Sequence, residues 1–405
     1  MLSQVFLSLN ANKTYIGMKT RYLLFTIAGM LSAIVSPTLQ GQEKDNVLNA
    51  SITQDVTSNL SGGAQTGETQ LGLINLDFAM NTENLNLWKG GTFKIHIQNT
   101  YGGRPTEKFV GDLQVYNNIE NGNHTYLYQL WYQQRIGDFS LLLGKHDMNA
   151  QFFTSGMAGT YINSSFGIMP LASLNVPVSI FPNTTLGLTG KYTINRHMAV
   201  QAGIYNGIPG EITQSNFGTD LNLGLNHGFF YIGEIQLKNP FESLNGTYKV
   251  GAFHHSGSFS SLTPAGKQQQ GAGGVYFMAD QKLTAAGKEG RKGLGTFLQL
   301  GYSPDVSSIN DFYGALGMNY TGLLHPGGKD EVGLALAHAS AQGHLPEARE
   351  EELHSCETVV EFTYRYAITD QITLQPDIQY IIHPGMNPSL ENAWAGTFRI
   401  HWNYQ

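Results

Sequence analysis

Residues 357–382 read ETVVEFTYRYAITDQITLQPDIQYII. In the first half, Thr358, Val360, Phe362, Tyr364 and Tyr366 alternate with Glu357, Val359, Glu361, Thr363 and Arg365. In the second, Ile372, Leu374, Pro376, Ile378, Tyr380 and Ile382 alternate with Thr373, Gln375, Asp377 and Gln379. The end of the chain repeats the pattern, setting Trp394, Phe398, Ile400, Trp402 and Tyr404 against Arg399, His401 and Asn403. Successive side chains of a strand point to opposite faces, so each segment has one aromatic, aliphatic face and one polar face. Rings cap the ends of the apolar face, as they do where a strand crosses a bilayer, and the polar face then lines a wet lumen. In a secreted sandwich the same apolar face would point inward.

Composition favours the membrane reading. Only 13% of the 405 residues are charged, yet the mean hydropathy is −0.19, with 48 Gly and 20 Tyr. Low charge without strong hydrophobicity suits strands that spend half of their side chains on lipid and half on water. Residues 1–41 read as an export signal: Lys19 and Arg21 precede a largely apolar run, Tyr22 to Val35, with Met18 as the expected initiator. They hold Lys13, Lys19 and Arg21 and no acid, so removing them from 23 basic and 30 acidic residues leaves a net charge of −10. That balance disfavours nucleic acid. Cys356 is the single cysteine, which excludes an intrachain disulfide and a thiolate metal cluster.

Residues 42–66, rich in Asn, Ser, Thr and Gly, read as a polar segment ahead of the first strand, and 67–405 as the barrel. Sixteen strands are predicted, centred near Leu73, Ile95, Leu113, Leu130, Leu142, Leu188, Val200, Gly233, Val250, Phe277, Leu298, Leu316, Leu334, Phe362, Ile378 and Ile400. An even number returns both ends to one side of the membrane. Ile136-Gly137-Asp138, Ile194-Asn195-Arg196 and Ile368-Thr369-Asp370-Gln371 are tight-turn signals, whereas 147–183, 206–227, 256–270 and 341–355 are long. The expected architecture is therefore all-β, a transmembrane antiparallel barrel with inward-folded loops. The stretch 147–183 is the expected constriction.

Hydrolase, phosphate-loop and zinc-protease motifs are absent from the sequence. His254-His255 cannot present both rings to one face of a strand, and no other metal or cofactor site is read. The polar faces are more informative. They bring Lys94, His96, Gln98, Gln129, Gln133, Arg135, Lys191, Glu234, Glu357, Glu361, Arg365, Asp377, Gln379, Arg399 and His401 inward. Acids and bases coexist, so the lumen is not a single-sign filter, and such groups hydrogen-bond sugar hydroxyls well. A channel for neutral polar solutes is the expected function. A general or anion-preferring porin and a barrel-embedded hydrolase are the alternatives.

Glu361-Phe362-Thr363-Tyr364, Leu374 to Tyr380 and His383-Pro384-Gly385 resemble the carbohydrate-selective porin family, usually called OprB. Leu143-Gly144-Lys145-His146-Asp147, Asn163 to Gly167, Pro182 to Gly187, Gln201 to Gly207, Gly246 to Gly251 and Ala279-Asp280-Gln281 agree in order. The resemblance implies a sixteen-stranded barrel that passes sugars by facilitated diffusion, in the outer membrane of a Gram-negative bacterium. Barrel-assembly machinery and outer-membrane lipids are the implied partners, and a monomer or homotrimer the implied state. It places Lys145, Asp147, Glu357, Glu361, Arg365, Asp377, Gln379 and Arg399 beside the sugar path. Two features depart from the family: Tyr404 is followed by Gln405, and Gly328-Lys329-Asp330 has Lys where relatives often carry Arg.

Overall fold

The computed structural model describes residues 46–404, apart from 211–215, 220, 222–224, 241–243, 261–267, 287–291, 306, 326 and 342–353. The export-signal reading of residues 1–41 lies outside the described residues, as do Gln405 and parts of three of the long connections. Sixteen antiparallel strands close on themselves. They are β1 (Asn46–Gly63), β2 (Gly67–Asn81), β3 (Gly91–Gly102), β4 (His124–Ile136), β5 (Phe139–His146), β6 (Thr185–Thr193), β7 (Met198–Asn206) and β8 (Phe229–Lys238). The second half comprises β9 (Gly246–Ser260), β10 (Gln268–Lys282), β11 (Gly293–Tyr302), β12 (Phe312–Thr321), β13 (Asp330–Ser340), β14 (Cys356–Ala367), β15 (Ile372–Ile382) and β16 (Glu391–Tyr404). Each strand pairs with its sequence neighbours, and β1 pairs with β16, so no edge is left to seek a partner.

The outward face carries the alternation. Leu143, Val250, Leu316, Leu334 and Phe362 are all exposed, with Leu143 at 58%. Large apolar side chains so exposed on fifteen of the sixteen strands are unfavourable in water and suited to acyl chains. Rows of rings flank them. Phe93, Tyr132, Phe139, Tyr192, Tyr320, Tyr364 and Trp402 lie toward the end with the short turns. Tyr101, Tyr231, Tyr302, Phe312, Tyr380 and Trp394 lie toward the end with the long connections. Short turns mark the periplasmic end of such barrels.

Two strand expectations are corrected. The polar segment 42–66 contains β1, whose inward Thr53, Asp55, Thr57 and Asn59 are buried and whose outward face carries Leu48, Ile52, Val56 and Leu60. Ala50, Gln54 and Ser58 dilute that outward face, so the period of two is hard to see. Conversely, Leu113 lies in no strand. It belongs to the connection 103–123, which folds into the lumen. Gly111 and Val115 there adopt positive φ, and the Leu113 amide bonds to the Glu357 carboxylate rather than to a neighbouring strand.

The lumen is divided. On β7–β13 its upper part is mostly apolar or small: Tyr205, Phe230, Ile232, Phe253, Tyr276, Met278, Phe297, Tyr313, Ala315, Ala335 and Ala337 are buried, with Gln201, Glu234 and Gln236 below them. Against this wall packs the connection 147–184, with Met148, Phe152, Phe153, Phe166, Met169 and Leu171 in the same core. Phe153 stacks on Tyr276 with centroids 4.0 Å apart. The fit is close: a Cβ at Gly301 would stand 2.0 Å from Leu171. Where this connection packs, the lumen is therefore dry, which differs from the uniformly wet lumen that the alternation implied.

Candidate functional site

The wall formed by β14, β15, β16 and β1 holds two inward connections in place. Glu357 is fully buried, and its carboxylate accepts the amides of Leu113 (2.8 Å), Gln114 (2.9 Å) and Gly385 (2.6 Å). One turn of pleat further, buried Glu361 accepts the amides of Ile162 (2.5 Å) and Asn163 (3.0 Å). Gln379 joins both connections, donating to the Tyr116 carbonyl (3.0 Å) and accepting from the Asn163 side chain (3.1 Å). Gln375 donates to the Thr160 carbonyl at 2.8 Å. The two connections also bond to each other, Asn118 N to Ile162 O (3.0 Å) and Ser164 N to Val115 O (2.9 Å). A strand can supply this pattern because Glu357, Glu361 and Arg365, four residues apart, share one face.

Between the connections and the wall of β16, β1, β2, β3 and β4 lies a cavity of about 770 Å³. Asp147, Arg365, Arg399 and His401 line it, with Asn75, Gln98, Asn118, Asn149 and Gln375, and with the rings of Tyr128 and Phe181. Arg399 forms a two-pronged ion pair with Asp55, Nε to Oδ1 and Nη2 to Oδ2, both at 2.8 Å, and Nη2 also donates to Asn118 Oδ1 at 2.8 Å. Asp55 is completely buried, so the pair fixes the guanidinium against the wall with one edge toward the cavity. Asp147 accepts from the Tyr128 hydroxyl (2.6 Å) and from the Asn149 amide (2.8 Å), capping a short helical turn, Met148–Ala150. Burial pushes its carboxyl up to about 6, against the pull of those hydrogen bonds. In the other connection, burial likewise raises Glu120, which accepts the Thr106 amide at 3.0 Å.

Of the eight residues expected beside a solute path, Asp147, Arg365 and Arg399 line the cavity. Glu357, Glu361 and Gln379 are buried behind the connections they hold. Asp377, 7% exposed, lies beside Glu361 and accepts from Gln379 Nε2 at 3.2 Å. Lys145 is also buried, its ammonium on the Thr184 carbonyl at the far end of the connection 147–184. Sequence reasoning missed Asp55, Asn118 and Tyr128. A usable signal existed for Asp55: Arg399 faces inward near the end of the last strand and needs a carboxylate on a neighbour. The first strand is that neighbour only in a closed barrel. His254 and His255 point to opposite faces, as adjacent strand residues must, and His255 bonds to the Gly207 carbonyl at 2.6 Å. Among the described residues, no group of three or more His, Cys, Asp or Glu could hold a metal ion.

A family model described as carbohydrate-selective porin, OprB family, matches residues 65–404. Porin B of Pseudomonas aeruginosa is 23% identical over 394 residues, covering 85% of each chain. The high-pH structure of Pseudomonas putida OprB superposes with a TM-score of 0.80 at 18% identity, over 89% of this chain and 94% of that one. An engineered Rh. blastica porin is similar in fold at a TM-score of 0.53 and 10% identity, over 89% of this chain and 100% of its own.

Proposed function

Because the chain belongs to the carbohydrate-selective porin OprB family, we propose that it passes mono- and small oligosaccharides by facilitated diffusion across the outer membrane of a Gram-negative bacterium. The observation that carries this reading is the cavity's lining. Carboxylate, guanidinium, amide and imidazole groups line one cavity together with the rings of Tyr128 and Phe181. Donors and acceptors in mixed order satisfy a sugar's hydroxyls without favouring one charge, and rings can lie against the apolar face of a pyranose. The contacts must stay weak, since a solute moving down its gradient has to leave as readily as it enters.

Roles divide by exposure. Asp147, Arg365 and Arg399 are the groups that would meet the sugar. Glu357, Glu361 and Gln379 act as positioning residues, because their oxygens and amides are spent on the inward connections, and Asp377 supports them by accepting from Gln379. Lys145 would fix the far end of the connection 147–184. No catalytic role is proposed for any of them, and neither is a cofactor.

Liposome swelling with the purified protein tests the reading. Glucose should enter fastest, disaccharides more slowly and larger saccharides scarcely at all, with arabinose or glucose outpacing a salt of similar size. Equal rates for all solutes below one size would instead make this a general diffusion pore of the same fold.

A further inference from the structure

Below the cavity, toward the short-turn end, the lumen wall changes character. Arg135 on β4, Lys191 on β6, Lys238 on β8 and Lys249 on β9 all take lumen-facing positions. Cross-strand register places them close together. Arg135 lies opposite Ser140, which lies opposite Lys191, then Gln201 and Glu234. Gln236 and Lys249 form the next row, and Lys238 lies one row further down. Lys191 reaches across β7 to donate to Gln236 Oε1 at 3.1 Å. Adjacent strands are about 4.8 Å apart, so four cations occupy one arc of the wall.

Glu234 and Asp280 are near, and among the described residues no carboxylate forms an ion pair with any of the four. Glu234 is buried and spent on neutral donors: the side chains of Gln201 (2.9 Å), Gln236 (2.7 Å) and Tyr276 (2.8 Å). Asp280 accepts from Ser155 and from the Gly156 amide, holding the lower edge of the connection 147–184. Lys249 is committed to Thr154 of that same edge. Arg135 and Lys238 are exposed, and Lys191 is half-buried. Among the described residues, three cations therefore face the water of the exit vestibule without an ion-pair partner, an arrangement that costs free energy until an anion arrives.

We propose that this arc, Arg135, Lys191 and Lys238, is a second solute subsite, which takes the oxyanion of an acidic sugar such as a hexuronate or a sugar phosphate. It rests on the reading of the chain as a sugar channel and adds a class of cargo to it. Gln133 lies two residues before Arg135 on the same face and offers its amide to the sugar's hydroxyls. The guanidinium can grip a carboxylate or phosphate by two parallel bonds, while the two ammonium groups act as point charges. An acidic sugar leaving the cavity would find its charge met at the periplasmic mouth, and a neutral sugar would pass with little delay.

The test is solute block of single-channel current at about 0.1 M salt, with glucose, glucuronate and glucose 6-phosphate added from each side in turn. Both acidic sugars should block at concentrations about tenfold below glucose, and more strongly from one side, since two or three unit charges in wet surroundings supply roughly that factor. Raising salt to about 1 M should remove the difference by screening. The triple variant Arg135→Gln, Lys191→Gln, Lys238→Gln should lose the acidic-sugar preference and keep glucose entry in liposomes. Lys238→Glu, at the exposed rim, gives the same test if the triple variant fails to assemble. An equal block by glucose and glucuronate in the native pore would overturn the subsite, as would a preference that survives both variants. Loss of glucose entry in the native protein would instead count against the sugar-channel reading itself.

Discussion

Replacing Glu361 with alanine should widen the pore without unfolding the barrel. The carboxylate accepts two backbone amides of the connection 147–184, at 2.5 and 3.0 Å, and is shielded from solvent. A buried backbone amide left without an acceptor costs about 1–3 kcal/mol, so removing the shared acceptor of two costs that segment on the order of 2–6 kcal/mol before water compensates. Other ties hold the segment: the Gln375 bond to the Thr160 carbonyl, the Thr160 hydroxyl bond to Glu331, the Gln379 bond to Asn163 and the two backbone bonds to the connection 103–123, about 1 kcal/mol each. The loss is comparable to that reserve. Residues 162 and 163 should therefore loosen from β14, while Tyr161, Phe152, Phe153 and Phe166 keep the rest of the connection packed on β7–β13. The strand ladder on both sides of β14 is untouched. Single-channel recording of Glu361→Ala should show raised conductance and freer passage of trisaccharides, with a barrel still resistant to heat in detergent. Glu361→Gln keeps one acceptor and should fall between. A folded Glu361→Ala barrel with native conductance and native size exclusion would refute the tether argument.

Other consequences can be checked separately. Asp147 ionises around pH 6, so it is negative at pH 7 and neutral at pH 5. Reversal potentials should therefore shift toward anions as pH falls through 6, and Asp147→Asn should remove that step. Arg399→Ala leaves Asp55 buried without its cation and should cost roughly 3–5 kcal/mol, read as a lower temperature of heat modification and as weaker sugar block. Arg399→Lys should recover little, because the two-pronged pair needs the planar fork. On the lipid face, Phe362→Arg should cost roughly 2–4 kcal/mol in a bilayer refolding assay, and a spin label at Phe362 should be quenched by a lipid-soluble agent but not by a water-soluble one.

Where both faces of a strand differ sharply, as in β14, β15 and β16, the fold was legible from residues alone. It was illegible where the outer face is dilute. In β1, Ala50, Gln54 and Ser58 sit between the apolar positions, and the inward Thr, Asp and Asn side chains complete the look of a linker. The apparent strand at Leu113 failed for the opposite reason, since an inward connection also alternates apolar and polar residues, and nothing local says that its amides bond to Glu357. The dry part of the lumen was hidden because Ala335, Ala337 and Ala339 look like weak strand residues until the loop that fills the space above them is seen. For the site, the sequence placed the right face of β14 and β15 inward. It could not separate Arg365, which borders the cavity, from Glu361 four residues earlier, because burial there is set by a connection some 200 positions away.

The account's central claim is that sugar passes through the cavity between the inward connections and the β16–β4 wall. Gly159 and Gly167 both line it, and a Cβ at either meets nothing within 4 Å, so a cysteine at each fits without strain. With Cys356 replaced by serine, Gly159→Cys and Gly167→Cys can each be labelled with a bulky thiol reagent and assayed for glucose entry into liposomes. The account predicts native entry before labelling and a fall to near background after it, with no effect of the same label at Phe362→Cys on the lipid face. Full glucose entry through a completely labelled Gly159→Cys pore would contradict it, and would move the sugar path elsewhere in the barrel.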